Sequence, residues 1–303
     1  MNINRVIRSM KSKRFFIDLY SFMTIKLGYA NTDLAVKIAR HKVYTNLKKR
    51  YYDKLDNDYV YYSNEEFDRK IWICWLQGFD NAPDIVKECY KSIKRNSNGY
   101  EVVQITLENI NDYINIPSYI IQKWEKGIIS NTHLSDIIRL ELLINHGGLW
   151  VDATVWCTGE IPSYIRDSEL FVYREGWYDS EAINMGSWII SAHPNNYMLK
   201  QTLKLIYNYW EENNHMYDYF LFHLFFKMAS EKYIEAWNKV PVLYQNDSHI
   251  LQHEMFNKYD LEKYINISKL TPFHKLTVKF DEERANLEGT FYRYILNIDR
   301  GDD

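Results

Sequence analysis

Ser135 to Val155 reads SDIIRLELLINHGGLWVDATV, and the order of its parts decides the fold. Apolar residues recur at helical spacing from Thr132 to Asn145 and stop before Gly147-Gly148, where a left-handed cap needs a residue without a Cβ. LWVDATV follows as a short apolar strand with one carboxylate, Asp152, inside it. Burying a carboxylate is costly unless a cation or hydroxyl meets it. Asp152 therefore either caps local N–H groups or belongs to a site.

Upstream, IWICWLQG (Ile71 to Gly78) is a continuous apolar run ended by glycine, which predicts a buried strand. Pro83 opens a helix over DIVKECYKSIKRN that closes at Asn98-Gly99, and EVVQIT predicts a second strand. Strand, helix, strand with a helix-length crossover is the βαβ unit of a parallel sheet. Helices are also expected at Asp33 to Tyr52, at Ser118 to Lys126 and, beyond Asn195, through KQTLKLIYNYW and FLFHLFFKMA. No repeat, low-complexity tract or linker follows residue 70, so the expected organisation is a basic helical segment over 1–65 and one α/β domain over 66–303. In open parallel sheets ligands bind beyond the carboxyl ends of the strands, which places Asp152 in a crevice. Asp136 and Arg139, three apart on the preceding helix, either form a surface ion pair or line that same crevice.

Charge is distributed unevenly. Residues 1–50 carry 12 Lys or Arg against Asp18 and Asp33, so that segment is +10 and the remainder −13 within a net charge of −3. In MNINRVIRSMKSKRFF, apolar Ile3, Val6, Ile7 and Met10 alternate with Arg5, Arg8, Lys11, Lys13 and Arg14, the pattern of a basic helix that lies on an anionic membrane surface or simply faces solvent. Asp18 and Lys26 interrupt FFIDLYSFMTIK, which argues against a signal peptide, and no window supplies the roughly 20 apolar residues of a membrane span. The acidic body carries no nucleic-acid recognition motif, so no nucleic-acid partner is expected. Cys74, Cys89 and Cys157 have no CxxC spacing, which indicates neither a zinc site nor a disulfide framework and suits a reducing, cytoplasmic compartment. Abundant aromatics (26 Tyr, 9 Trp, 14 Phe) pack cores and also line clefts that stack on sugars.

Taken together, IWICWLQG, NAPDIVKEC and SDIIRLELLINHGGLWVDAT resemble the capsular polysaccharide synthesis protein family, which is related to the family 32 glycosyltransferases. The likeness is strongest over roughly residues 70 to 160. It implies a GT-A fold: a Rossmann-like mixed, mainly parallel sheet flanked by helices, with helical N-terminal and C-terminal additions. It also implies a hexosyltransferase that uses a UDP- or GDP-linked sugar donor, retains anomeric configuration and extends a bacterial capsular or other surface polysaccharide on an acceptor that is often lipid-linked. Such acceptors are built at the inner face of the cytoplasmic membrane, which the basic residues 1–14 would suit as a peripheral attachment.

By resemblance, Trp72 lies where the family stacks the nucleotide base, beside Gln77 and Gly78. Asp136 and Arg139 match residues that hold the donor sugar, and Asp152 matches the first Asp of the D-x-D motif. Thr154 stands where the second Asp is expected. A Mn2+ or Mg2+ ion between the donor phosphates prefers carboxylate oxygens, and a Thr hydroxyl is a weaker ligand. Asp152 with help from another residue, loose metal binding, or replacement of the metal by cationic side chains are the alternatives. In LTPFHKLTVKF, His274, Lys275 and Lys279 resemble late His and Lys residues that reach diphosphate oxygens, with His274 also a candidate metal ligand. Asn184 and His193 resemble the segment that lines the acceptor side. Two other functions compete: a non-catalytic carbohydrate-binding or scaffold protein of the same fold, and a glycoside hydrolase, for which no second carboxylate stands out.

Overall fold

The computed structural model describes residues 7, 9–11, 14–29, 31–61, 69–176 and 182–298. Most of the basic segment 1–14 lies outside the described residues. Helix α1 spans Phe15–Lys26, and α2 spans Thr32–Tyr51 behind an Asn31 cap whose side chain accepts from the Leu34 N–H at 2.8 Å. One stripe of α2, with Ala39, Val43, Leu47 and Tyr51 at helical spacing, is buried in the same core as the sheet. The change of charge after residue 50 is therefore not a break in packing.

The expected βαβ unit forms. Strand β1 (Lys70–Cys74) leads through α3 (Asp84–Arg95) to β2 (Glu101–Ile105), and the two strands pair in parallel. Two helices follow, α4 (Ser118–Glu125) and α5 (Asn131–His146), the second capped by the Ser130 side chain on the His133 N–H. Helix α5 packs against the strands and, as described below, against a later helix, so His133, Asp136 and Arg139 are buried along with its leucines and isoleucines. Gly147 (φ +67) ends it, and Gly148 (φ +99) brings the chain so close to β1 that an added Cβ would stand 2.5 Å from the Lys70 carbonyl oxygen. Strand β3 (Gly148–Val151) then pairs in parallel with β1 on the side away from β2.

Past β3 the chain leaves the main sheet. Strand β4 (Val155–Cys157) belongs to a second, two-stranded sheet, so LWVDATV is two strands joined by a turn and not the single strand that the apolar run suggests. The main sheet is completed by β5 (Leu170–Arg174) and β6 (Met185–Ala192) in the order β2-β1-β3-β6-β5, with β6 antiparallel to both neighbours. Four strands run one way and β6 the other, a mainly parallel mixed sheet. Helices α6 (Tyr197–Glu212) and α7 (Leu221–Lys232) pack on one face with α2 and α5. There Tyr51 meets Phe225 edge-on at 5.4 Å, and the Trp210 indole N–H of α6 reaches His133 of α5 at 2.9 Å. Helices α3, α8 (Asn246–Glu254) and α9 (Leu261–Leu270) cover the other face, together with β7 (Phe273–Lys275), which pairs antiparallel with β4.

Strand alternation divides the two cores: Trp72, Cys74 and Trp150 face α5 to α7, while Ile71, Ile73, Leu149 and Val151 face α3.

Candidate functional site

Chain order places the switch point of the sheet between β1 and β3. From β1 the chain crosses to β2 on one side and returns to β3 on the other, which opens a crevice at the carboxyl ends of both strands. Asp152 is the first residue past β3. Its N–H donates to the Trp188 carbonyl at 2.8 Å, and its own carbonyl accepts from the Val155 N–H at 3.0 Å, so the turn is fixed from both sides. The side chain reaches the crevice and is 24% exposed.

Three donors meet this carboxylate. Oδ1 accepts from Arg139 Nη2 at 3.2 Å and from the Trp150 indole N–H at 3.0 Å, while Oδ2 faces Lys275 Nζ at 3.3 Å. The Arg139 guanidinium is buried over the Trp150 ring at 4.8 Å and also donates to the Ser187 carbonyl at 2.6 Å. Behind it, Asp136 lies 3.5 Å from Arg139 Nη1 and 3.3 Å from His133 Nδ1. Since His133 Nε2 accepts the Trp210 indole N–H, His133 offers its proton to Asp136 through Nδ1. Burial alone would raise the Asp136 carboxyl, but Arg139 and His133 outweigh it and hold the group below the usual carboxylate range. Asp136 stays ionised and fixes Arg139; Arg139 in turn fixes Asp152.

Two chambers flank Asp152. The first, about 300 Å³, is lined by Cys74, Trp75, Gln77, Arg139, Asp152 and Thr154. The second, about 280 Å³, is lined by Arg40, Glu175, Trp188, His223, Lys275 and again Asp152. Burial pushes the His223 imidazole down to about 4 and the Cys74 thiol up to about 12, so the histidine is neutral and the thiol is not a nucleophile at neutral pH. Gly186 lets Gln245 pack close in the wall of the second chamber, since a Cβ there would meet Gln245 Oε1 at 2.3 Å.

The structure brings together Asp136, Arg139, Asp152, Thr154, Gln77 and Lys275, and it separates the other expected residues. Trp72 is wholly buried and donates its indole N–H to the Gly147 carbonyl at 2.8 Å, so it has no face to offer a base; the aromatics lining the first chamber are Trp75 and Trp150, of which Trp75 is the half-buried one. The period of the strand explains this: Trp72 lies on the core side of β1, and Trp75 lies past its end. Gly78, at φ +86, closes the Trp75 turn and does not line the chamber. His274 points opposite to Lys275, as strand neighbours must. It is fully buried, with Nε2 3.1 Å from Thr158 Oγ1, and does not reach Asp152. Lys279 is exposed and lines a separate cavity with His253 and Arg284. Asn184 is tied to Ser230 Oγ at 2.7 Å outside both chambers, and His193 follows the end of β6 that pairs with the start of β3, at the opposite edge of the sheet.

Glu175 and His223 line the site without having been singled out in the sequence. A carboxylate directly after the apolar LFVYR strand carries the same signal as Asp152, and a lone histidine in FLFHLFF carries a weaker one.

The molecule is thus an α/β protein whose cleft opens at the carboxyl edge of a mainly parallel sheet, around a carboxylate held by two cations. Residues 27–295 match the sequence profile of the capsular polysaccharide synthesis protein family, and the chain belongs to that family. No curated protein gives a significant match. Among solved structures, the PaToxG glycosyltransferase is 16% identical with a TM-score of 0.37, covering 86% of this chain and 96% of that one. The apo-form glycosyltransferase GlyE of Streptococcus pneumoniae TIGR4 is 11% identical with a TM-score of 0.39, covering 77% and 63% respectively.

Proposed function

We propose that the protein is a glycosyltransferase that moves a hexose from a UDP- or GDP-linked donor to a glycan of a bacterial surface polysaccharide, with retention of configuration as the family 32 resemblance implies. One observation carries the reading: Asp152 is shared by two chambers and clamped by Arg139 and Lys275 at the switch point of the sheet. The donor occupies the first chamber, with its base against Trp75 and its sugar toward Asp152. The acceptor hydroxyl enters from the second, where Glu175 and Trp188 meet it. Catalysis is then positioning plus charge stabilisation at the diphosphate, with no covalent nucleophile required.

A third cavity, about 480 Å³, lies under α1 and is lined by Phe22, Ile25, Ala35, Arg40 and Phe220. Arg40, Tyr219 and Phe220 line this cavity and the second chamber alike, so the two adjoin, which supports an acceptor whose lipid carrier lies under α1. On the outer side of α1, Phe16 (82% exposed), Tyr20, Met23 and the following Leu27 form an apolar stripe within the +10 segment, which supports peripheral attachment to the inner face of the cytoplasmic membrane. No helix among the described residues is long and apolar enough to cross a membrane.

The test of function is a screen of UDP- and GDP-sugars, read by released nucleoside diphosphate with and without glycan acceptor. Release with at least one donor is expected; no turnover and no nucleotide binding with any donor would favour the scaffold reading. Sedimentation with anionic liposomes tests the membrane face, and Phe16→Glu combined with Leu27→Glu should release the protein.

A further inference from the structure

The residues around Asp152 do not fit a divalent cation. Such an ion needs several hard oxygen ligands, above all carboxylates. Asp152 Oδ1 already serves Arg139 and Trp150, and Oδ2 faces Lys275. Thr154 Oγ1, at the place of the expected second carboxylate, accepts a hydrogen bond from Lys275 Nζ. His274 is turned into the core, and among the described residues no group of three or more His, Cys, Asp and Glu could hold a metal ion.

We infer that the Lys275 ammonium takes the place of the donor-site metal, holding the diphosphate of the nucleotide sugar directly. The placement is built into the fold. Val155 pairs with Lys275 across β4 and β7, and the Leu276 N–H donates to the Thr154 carbonyl at 2.8 Å, so the backbone that carries Lys275 is fastened to the backbone that carries Thr154. Alternation along β7 then sends Lys275 toward Asp152 and His274 away from it. Arg139 cannot take this role as readily, since its buried guanidinium is committed to Asp136, Asp152 and the Ser187 carbonyl. Lys275 lines the second chamber and touches Asp152 and Thr154 on the wall of the first, so its ammonium, on a side chain 22% exposed, stands between the two and meets a diphosphate that reaches past Asp152. In the transfer step the bond between the anomeric carbon and the β-phosphate oxygen breaks, and its electron pair leaves with the diphosphate. The acceptor oxygen forms the new bond, and its proton passes to the departing diphosphate. Lys275 offsets the charge that gathers there and exchanges no proton.

This inference rests on the reading of the first chamber as a nucleotide-sugar site, and calorimetry separates the two. UDP and GDP are titrated into the full chain in EDTA and in Mn2+, alongside Lys275→Met, which keeps the apolar stem, and Lys275→Arg, which keeps the charge. One nucleotide should bind equally in EDTA and Mn2+. Lys275→Met should weaken it about tenfold or more, the loss of one charge-assisted hydrogen bond, while Lys275→Arg restores part of the affinity. Thermal melting of each variant confirms that it folds. Binding that needs Mn2+ and ignores Lys275→Met overturns the inference and leaves the transferase reading standing; absence of binding in every condition overturns both.

Discussion

The two edges of the main sheet use the same kinds of residue for opposite ends. At the amino edge of β3, the Trp72 indole, Gly147 and Gly148 are locked to one another, with the Trp72 N–H on the Gly147 carbonyl and no room for a Cβ at Gly148. At the carboxyl edge, Trp75, Asp152 and Thr154 stand around open chambers, and the polar atoms of Asp152 and Thr154 meet Lys275 from a distant segment. The difference follows from sheet geometry: helices and the neighbouring chain seal the first edge, while the strand order diverges at the second. Substitutions at the first edge should therefore cost stability, and those at the second should cost activity.

The sharpest separation is expected from Asp152→Asn. It keeps the shape of the side chain but removes the charge that Arg139 and Lys275 share, and nucleoside diphosphate release should fall about 10²–10³-fold, comparable to loss of a main electrostatic group. The urea midpoint should move little, because the carboxylate is partly exposed and its backbone bonds remain. A folded variant with near-normal turnover would remove Asp152 from the chemistry. At the other edge Gly148→Ala should do the reverse. With φ at +99° and a carbonyl oxygen 2.5 Å from the new methyl, the cost should be about 2–4 kcal/mol of unfolding free energy, read from urea titration.

The two tryptophans bring the comparison onto one strand. Trp72→Phe leaves the buried Gly147 carbonyl without its donor and should cost about 1–3 kcal/mol of stability with donor affinity unchanged. Trp75→Ala should weaken donor binding by about 1–3 kcal/mol, the scale of one base stacked on a ring, measured by calorimetry at constant fold. Exchange of these two outcomes would return the stacking role to Trp72.

That pair also marks the limit of what the sequence discloses. The βαβ unit, α5 and the Gly pair are legible because each rests on local signals, periodicity and a cap, whereas the Asp136, Arg139 and Asp152 constellation comes from the family resemblance, since spacing alone allows a surface ion pair and a local cap as well. The antiparallel β6 and the late β7 are not legible, because their partners lie far along the chain and an apolar run carries no record of direction. IWICW holds two tryptophans in one unbroken apolar run, so only the sheet decides which is core and which is cleft. The same holds for the adjacent His274 and Lys275, whose roles are set by which face of β7 meets β4 and the cleft. Glu175 carries the same strand-end signal as Asp152, but no family motif surrounds it to single it out.

His274 supplies the smallest effect and a check on that alternation. Its ring is enclosed, Nδ1 is buried without a hydrogen-bond partner, and burial pushes the imidazole down to about 4. In the unfolded chain the group titrates near 6.5, so between the two values the unfolded state binds the extra proton. Its contribution to stability is complete above about pH 6.5 and is lost as pH falls toward 4, with a loss on the order of 1 kcal/mol between pH 7.5 and 6. His274→Gln should reduce the acid sensitivity of the melting temperature over that range and leave nucleotide affinity untouched, because the side chain faces away from Asp152. Unchanged acid sensitivity would mean that solvent reaches the ring, and altered nucleotide affinity would place His274 on the cleft side of β7, where the register puts Lys275 alone.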